Sequence, residues 1–196
     1  MSDPARDPAA PEAPPRRLRR PVVLVGLMGA GKTSVGKRLA AALRVPFVDS
    51  DDEIEAAAGM TIPEIFETLG EPAFREGERK VIARLLEGPA RVIATGGGAF
   101  MNAETRAAIA DAGAVSVWLR ADLDTLVERV GRRHTRPLLE GGEPRAILAE
   151  LMTRRHPVYA GADVVVDSRG QERHEAVVGR IRAALAARGD VFGSEA

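Results

Sequence analysis

A glycine-rich segment near the beginning of the chain constrains the fold more than any other feature. Residues 26–33 read GLMGAGKT and match the pattern G-x-x-x-x-G-K-[ST]. They lie between a short apolar run, residues 22–25, and a segment of helical periodicity, residues 34–43. Where a strand enters a helix through such a loop, backbone amides close around phosphate oxygens. The segment therefore predicts a strand–loop–helix unit that binds the phosphates of a nucleotide.

Two side chains of this segment have chemical roles in phosphate binding. Lys32 is expected to reach the terminal phosphates, and the hydroxyl group of Thr33 is expected to ligate Mg²⁺. The alternative is a glycine-rich turn with a structural role only. Against it, Lys32 is one of only three lysines among the 28 basic residues, and it stands where the pattern requires a lysine. We therefore favour nucleotide binding.

Beyond this segment, short apolar runs alternate with longer segments of helical periodicity. The runs are apolar on both faces, which is typical of parallel strands covered by helices. They are residues 22–25, 46–48, 92–94, 115–119 and 164–166. The helical segments are residues 34–43, 52–58, 63–69, 72–86, 103–112, 123–132, 144–155 and 172–188. This alternation predicts an α/β fold with a five-stranded parallel sheet flanked by helices.

Composition divides the chain into one domain and two tails. The first 21 residues hold six of the thirteen prolines and, apart from the initial methionine, a single large aliphatic side chain, Leu18. We therefore expect a disordered N-terminal tail over residues 1–20. The folded domain is expected over residues 21–188, with a flexible C-terminal tail over residues 189–196.

The charge balance and the cysteine count exclude several functional classes. The 28 basic residues equal the 28 acidic ones, so the chain lacks the positive field that attracts nucleic acids and anionic membranes. No apolar run approaches the roughly 18 residues of a membrane span. The absence of cysteine excludes cysteine nucleophiles and fits a cytoplasmic protein, and three scattered histidines predict no zinc site. We expect a monomer with no nucleic-acid or membrane partner.

Acidic residues follow the second predicted strand. Asp49 and Asp51 are two residues apart, so in an extended chain they point the same way. That direction leads beyond the strand ends, where ligands bind in open α/β sheets, so one acid would serve a metal ion and the other a substrate. The alternative is that these acids cap the next helix, which we prefer for Asp52 and Glu53.

Other nucleotide-binding classes lack their signatures in this chain. A guanine site of the GTPase kind carries Asn-Lys-x-Asp, but the only asparagine, Asn102, precedes an alanine. Motor and transporter ATPases place an acid at the end of a strand beyond the first, whereas the third strand here runs into TGGG, residues 95–98. The acids after the second strand instead favour a kinase that acts on a small molecule.

Six short motifs follow one another along the chain. They are residues 26–37 (GLMGAGKTSVGK), 49–51 (DSD), 74–78 (FREGE), 96–99 (GGGA), 136–139 (RPLL) and 155–159 (RHPVY). In this order they resemble the shikimate kinase family, over about residues 20–187. The resemblance implies transfer of the γ-phosphate of ATP to the 3-hydroxyl of shikimate, giving shikimate 3-phosphate and ADP on the route to chorismate and aromatic amino acids.

The resemblance also implies an architecture and a phosphate site. The fold would be that of the nucleoside monophosphate kinases, with strand order 2-3-1-4-5, a substrate-binding subdomain over about residues 51–80 and a mobile lid over about residues 132–143. The residues that would bind ATP in the loop and the following helix are Gly29, Ala30, Gly31, Lys32, Thr33 and Ser34. Lys32 would also act in catalysis. Mg²⁺ would be bound by Thr33 and, through water, by Asp49.

On the acceptor side, the resemblance implies a carboxylate site and a catalytic aspartate. Asp51 would bind shikimate hydroxyls and orient the attacking one. Arg75 and Arg155, with the backbone N–H of Gly97, would bind the substrate carboxylate, because a guanidinium group matches a carboxylate bidentately. Arg136 would arrive with the lid, bind ATP and act on the transferring phosphate.

The residues on the acceptor side also have plainer interpretations. Taken alone, Arg75 would be a surface residue paired with Glu71 or Glu78. Arg155 would merely favour the C-terminus of a helix, and residues 96–98 would form a flexible turn.

Two other functions remain alternatives. A gluconate kinase has a similar glycine loop and a polyhydroxy-acid substrate, although the combination of DSD, FR and GGG belongs to the shikimate kinase pattern. A nucleotide-binding module without catalytic activity would not need Lys32, Thr33, Asp51 and Arg136 together. Candidates for an adenine contact, among which the sequence does not choose, are Arg129, Arg132 and Arg133.

Overall fold

Five parallel strands form the single sheet that carries the site. The computed structural model describes residues 17–131 and 143–193. The strands are β1 (Val22–Val25), β2 (Phe47–Asp49), β3 (Val92–Ala94), β4 (Val115–Arg120) and β5 (Val164–Asp167). They lie in the order β2-β3-β1-β4-β5. The predicted α/β fold and strand order are confirmed, and every predicted strand end lies within one residue of the observed one.

Helices flank this sheet in the order that the sequence predicts. They are α1 (Lys32–Leu43), α2 (Ser50–Ala58), α3 (Ile62–Leu86), α4 (Ala103–Asp111), α5 (Leu123–Gly131), α6 (Pro144–Tyr159) and α7 (His174–Ala187). A short 3₁₀ helix, Ala99–Met101, follows the turn after β3. Helix α1 contacts β2, β3 and α7, whereas α4 contacts α3 and β4.

Five helices differ from their predicted bounds by two residues or more, and for three of them, α2, α3 and α6, the structure shows a local reason. Helix α2 begins at Ser50, two residues early, because the side chain of Asp49 caps it. Helix α3 joins two predicted helices, and the break between them persists at Gly70, whose φ of 81° and ψ of 168° are not helical. Helix α6 continues past Pro157 to Tyr159, where complete burial of the tyrosine ring offsets the local cost of the proline.

The register of the strands brings three chain segments to one edge of the sheet. Both Leu24 of β1 and Asp49 of β2 lie opposite Ala94 of β3. Because the strands are parallel, the segments that leave β1, β2 and β3 emerge side by side. This carboxyl edge is where open α/β sheets bind their ligands.

The folded domain extends past both predicted boundaries. Leu18 forms an antiparallel bridge with Phe192 and is 3% exposed, and Val191 is completely buried. The structure therefore assigns the inner ends of the predicted tails, 1–20 and 189–196, to the domain. The reason is that a few buried apolar side chains outweigh the polar and proline-rich composition around them.

Some sequence predictions lie outside the described part of the chain. This applies to residues 1–16, 132–142 and 194–196, and therefore to Arg136 and most of the expected lid. Helices α2 and α3 contact each other in the region of the expected subdomain. That this region forms a substrate-binding subdomain stays a prediction. Within the described ranges, no helix is both long and apolar enough to cross a membrane.

Candidate active site

A pocket opens at the carboxyl edge of the sheet. The sequence-predicted residues that line it are Gly29, Gly31, Lys32, Thr33, Ser34, Asp49, Asp51 and Gly97. Ala30 is buried behind the glycine-rich loop rather than in the lining. Arg75 and Arg155 are not lining residues either, and they approach the site from behind the turn that follows β3.

Strand β4 and helix α5 hold the glycine-rich loop in shape. Gly26 and Gly29 have φ values of 136° and 81°, which favour glycine. A Cβ atom at Gly26 would lie 2.6 Å from the carbonyl oxygen of Leu119, and one at Gly29 would lie 3.0 Å from Val130 Cγ2. Glycine is therefore needed at both positions for backbone conformation and for close packing, although Gly29 stands at a variable position of the pattern.

Lys32 lines the pocket where the glycine-rich loop enters α1. Its Nζ donates hydrogen bonds to the carbonyl oxygens of Gly26 at 2.7 Å and Leu27 at 3.0 Å, so the ammonium group is held against the loop. Lys32 is also the first residue of α1, whose N-terminal amides carry the positive end of the helix dipole. An ammonium group, helix amides and loop amides converge there, as binding of a polyphosphate requires.

Thr33 and Asp49 form a pair of oxygen groups beside Lys32. The hydroxyl group of Thr33 donates a hydrogen bond to Asp49 Oδ2 at 2.8 Å. Asp49 Oδ1 accepts one from the amide of Asp51 at 3.2 Å and so caps α2. One carboxylate thus links the phosphate loop to the helix that carries Asp51.

The expectation that Asp52 and Glu53 cap the helix is wrong. The cap is Asp49, and both other acids lie in the first turn, where negative charge still suits the helix dipole. Burial, and next the charge of Asp49, raise the pKa of Asp52 above its usual value. Asp51 lies in the same turn rather than on an extended strand, yet it lines the pocket together with Asp49.

Arg75 makes both of the ion pairs that its plainer interpretation predicts. Its guanidinium group lies 3.1 Å from Glu71 Oε1 and 2.8 Å from Glu78 Oε2. It also stacks over the ring of Phe74, with 5.0 Å between its Cζ atom and the ring centroid. These contacts fix the guanidinium group beside the turn that follows β3, and the substrate role of Arg75 stays a prediction.

Glu78 is a buried carboxylate that sequence analysis considered only as a surface partner. It is 2% exposed, and burial raises its pKa, opposed by the positive charges of Arg75 and Arg155. A signal existed in the sequence: Phe74, Glu78 and Val81 recur at helical spacing on the buried face of α3. An acid on an apolar stripe indicates a buried, functional environment.

The three glycines at residues 96–98, here called the glycine turn, have all their carbonyl oxygens occupied. Gly96 O accepts from the amide of Ala99 at 3.3 Å, and Gly98 O accepts from the amide of Met101 at 3.0 Å. Gly97 O accepts from side chains of α6. The turn is therefore anchored, contrary to the alternative of a flexible one.

Both candidate arginines border this turn. Arg155 Nη1 donates to Gly97 O at 2.8 Å, and a Cβ atom at Gly97 would lie 3.4 Å from the same nitrogen. A Cβ atom at Gly98 would lie 2.5 Å from Arg75 Nη1. A side chain at Gly98 would therefore displace the guanidinium group of Arg75, whereas a Cβ atom at Gly97 would only contact that of Arg155. The structure thus brings Arg75, Arg155 and Gly97 together, as the resemblance implies.

Arg129 joins the glycine-rich loop to the segment after β5. Its Nη1 atom donates to Ser168 Oγ at 2.9 Å and, more weakly, to Gly29 O at 3.3 Å. Its Nη2 atom donates to the carbonyl oxygen of Arg169 at 2.7 Å. Arg129 is the one adenine candidate within the described residues, and it lines the pocket.

Comparison with known proteins identifies relatives of the whole domain. The family model for shikimate kinase matches residues 28–186. A shikimate kinase of Bradyrhizobium diazoefficiens is 60% identical over 150 residues, which are 76% of this chain and 72% of that protein. One of Novosphingobium aromaticivorans is 54% identical over 174 residues, 87% of this chain and 89% of that protein.

Solved structures agree with these sequence relatives. Shikimate kinase from Acinetobacter baumannii in complex with shikimate superposes with a TM-score of 0.82 at 36% identity, over 87% of this chain and 94% of that one. A gluconokinase from Sinorhizobium meliloti reaches only 0.59 at 19% identity and shares the fold alone. With a family model that spans most of the domain and relatives above half identity, this chain belongs to the shikimate kinase family.

Proposed function

We propose that the protein phosphorylates the 3-hydroxyl of shikimate with ATP, giving shikimate 3-phosphate and ADP. The observation that carries the proposal is a pocket lined by two chemically different groups of residues. The first group is Lys32 and Thr33 of the glycine-rich loop. The second is Asp51 and Gly97, with two arginines beside the glycine turn. We infer that the first group forms the donor end, which suits a polyphosphate, and that the second forms the acceptor end, which suits a hydroxylated carboxylic acid.

At the donor end, positive charge would stabilise the transferring phosphoryl group. The amides of Gly29 to Ser34 would bind the phosphates, and Lys32 would exchange its two carbonyl partners for phosphate oxygens. Charge spreads over the equatorial oxygens in the transition state, so preorganised donors act more strongly there than in the ground state.

Mg²⁺ fits the oxygen groups at this end. The hydroxyl group of Thr33 and the carboxylate of Asp49 lie 2.8 Å apart, and both are hard oxygen donors of the kind that Mg²⁺ prefers. Thr33 would hold the ion directly and Asp49 would hold it through water. When bound, the ion neutralises charge on the phosphates.

At the acceptor end, each group would have a separate task. The guanidinium groups of Arg75 and Arg155 and the N–H of Gly97 would hold the substrate carboxylate. Asp51 would accept a hydrogen bond from the attacking hydroxyl and orient it. It would take up the hydroxyl proton as the new P–O bond forms and the bond from the γ-phosphorus to the bridging oxygen breaks, so that ADP leaves. Glu78 would fix Arg75 through their 2.8 Å ion pair.

Several parts of the proposal rest on the sequence. Arg136 would contact the transferring phosphate, together with a lid over about residues 132–143, as the resemblance implies. A cytoplasmic location, a monomeric state and partners restricted to the two substrates also remain sequence predictions.

A coupled assay of ADP release tests the proposed function. Purified protein with Mg-ATP is given shikimate, gluconate, AMP or no acceptor in separate reactions. Of these four reactions, we expect only the one with shikimate to release ADP rapidly. NMR of its product should show the phosphate on the 3-oxygen. Lys32→Ala should lower kcat by roughly 10² to 10³ in a folded protein. Faster turnover of gluconate, or an active Lys32→Ala variant, would contradict the proposal.

A further inference from the structure

We propose that Tyr159 is a positioning residue of the acceptor site, holding the Gly97 carbonyl so that the amides of the glycine turn face the substrate. The inference rests on the proposed function and assigns a role to a side chain outside the pocket lining. The hydroxyl group of Tyr159 donates a hydrogen bond to Gly97 O, 62 residues away in sequence. Tyr159 is completely buried, so solvent water cannot replace Gly97 O as the partner of its hydroxyl group.

Tyr159 and Arg155 share this one acceptor oxygen. They are four residues apart on α6, which places them one above the other on the same helix face. Arg155 Nη1 donates to Gly97 O at 2.8 Å, and a carbonyl oxygen has lone pairs for both donors. The shared oxygen therefore ties the guanidinium group of Arg155 to a fixed point of the core.

Three other aromatic rings fix the position of the Tyr159 hydroxyl. The ring centroid of Tyr159 lies 5.7 Å from that of Trp118 and 6.4 Å from those of Phe100 and His156. Such packing leaves the ring little freedom, because a displaced ring would clash with its neighbours. The hydroxyl thus forms a rigid anchor, whereas an arginine alone could swing with its flexible side chain.

The glycine turn needs such an anchor. Three consecutive glycines have the greatest backbone freedom of any tripeptide, and ordering them costs conformational entropy. The carbonyls of Gly96 and Gly98 accept from backbone amides of the following 3₁₀ helix, and the amide of Gly96 donates to Ser50 Oγ of α2 at 3.3 Å. The carbonyl of Gly97 is held by side chains of α6.

Among the described residues, none accepts a hydrogen bond from the amide of Gly97 or of Gly98. Because a peptide unit is planar, fixing the Gly97 carbonyl fixes the direction of the Gly98 N–H on the opposite side, and it restricts rotation of the preceding peptide, which carries the Gly97 N–H. These two donors would then be available to an incoming anion.

The proposal concerns positioning rather than proton transfer. Burial raises the pKa of Tyr159 to about 12, so its hydroxyl remains a donor throughout the pH range of an ordinary assay. Removing the hydroxyl should therefore leave the pH profile of kcat unchanged. A role in acid–base chemistry would shift that profile.

Tyr159→Phe tests the inference because it removes only the hydroxyl group and keeps the ring. We expect KM for shikimate to rise roughly 3- to 10-fold, the equivalent of one hydrogen bond, while KM for ATP changes less than 2-fold. Equilibrium binding of shikimate without ATP should weaken by the same factor. Trp118, the only tryptophan, lies in the same cluster and can report binding by fluorescence.

Ser116→Ala is the matched control. Its buried hydroxyl donates to Asp163 Oδ2 at 2.6 Å, on the amino side of β4, and does not contact the glycine turn. This variant should lose stability with both KM values unchanged. Faster amide exchange at residues 96–98 is expected in Tyr159→Phe and not in Ser116→Ala.

Three outcomes would overturn the inference. The first is wild-type KM and binding of shikimate in Tyr159→Phe. The second is an equal rise of both KM values with a loss of thermal stability like that of Ser116→Ala, which would mean that the hydroxyl is merely structural. The third is a wild-type protein that neither binds nor phosphorylates shikimate; this alone would overturn the proposed function as well.

Discussion

At the scale of single residues, the acceptor side of the site is organised by a buried carboxylate. Glu78 accepts a hydrogen bond from Arg75 at 2.8 Å, and a Cβ atom at Gly96 would lie only 2.6 Å from its Oε1 atom. Arg75 has an exposed second partner, Glu71, at 3.1 Å, whereas Glu78 is the buried one. Glu78 restricts Arg75 to one geometry, as bidentate carboxylate recognition requires.

The Glu78→Gln variant tests the burial of Glu78 through the pH dependence of protein stability. Burial raises the pKa of Glu78 above 4.5, its ordinary value. Between that value and the raised one, the folded protein binds more protons than the unfolded chain, so wild-type stability declines as the pH rises through the interval. The decline should be absent in Glu78→Gln, as urea unfolding of both proteins from pH 4.5 upward will show.

Glu76→Gln supplies a control of opposite sign on the same helix. Hydrogen bonds from Arg79 and Lys80 lower the pKa of the exposed Glu76 to about 2. Its stabilising effect should therefore be constant above pH 4.5 and be lost as the pH falls below that value. Parallel stability curves for wild type and Glu78→Gln above pH 4.5 would show that Glu78 is not buried as described.

At the scale of elements, sequence patterns predicted what depends on neighbours along the chain. The strands and the glycine-rich loop follow from local spacing and from parallel strand order. That Thr33 and Asp49 would serve one metal ion was implied by the resemblance alone. Glu78 and Tyr159 were missed because their roles depend on contacts with Gly96 and Gly97, which are distant in sequence. The early start of α2 was missed because a cap is chosen by hydrogen bonding, and several acids competed for it.

Two glycine substitutions distinguish a glycine that the site needs from one that it does not. Gly77 lies within α3, and a Cβ atom there would have nothing within 4 Å. Gly77→Ala should therefore raise the free energy of unfolding by about 0.5–1 kcal/mol, because alanine favours the helix, with kcat/KM unchanged.

Gly96→Ala is the opposite case, because its Cβ atom would lie 2.6 Å from Glu78 Oε1 and 2.9 Å from Asp51 Oδ1. We expect a loss of about 1–3 kcal/mol in stability and a larger KM for shikimate. Urea unfolding and steady-state kinetics measure both variants. A destabilised Gly77→Ala, or a Gly96→Ala with wild-type kinetics, would contradict the packing described at this turn.

At the scale of the whole molecule, the two ends of the domain meet far from the chemistry. The amide of Arg19 donates to Val191 O at 2.9 Å, and Arg20 forms a salt bridge with Asp190 at 2.9 Å. This pairing precedes the first residue of β1, whereas the glycine-rich loop follows its last. Composition could not reveal it, because a proline-rich and charged average conceals the single leucine that is buried.

Leu18→Ala should therefore affect stability and leave catalysis alone. Leu18 is 3% exposed and belongs to the main core, so truncation should lower the free energy of unfolding by about 2–4 kcal/mol. Leu69 is 53% exposed, so Leu69→Ala should cost no more than about 0.5 kcal/mol. Urea unfolding compares the two variants, and steady-state kinetics at low temperature, where both remain folded, should give wild-type kcat and KM. An equal loss of unfolding free energy in the two variants would mean that residues 17–20 belong to the disordered tail. A lower kcat in folded Leu18→Ala would show that the paired ends are coupled to the glycine-rich loop through β1.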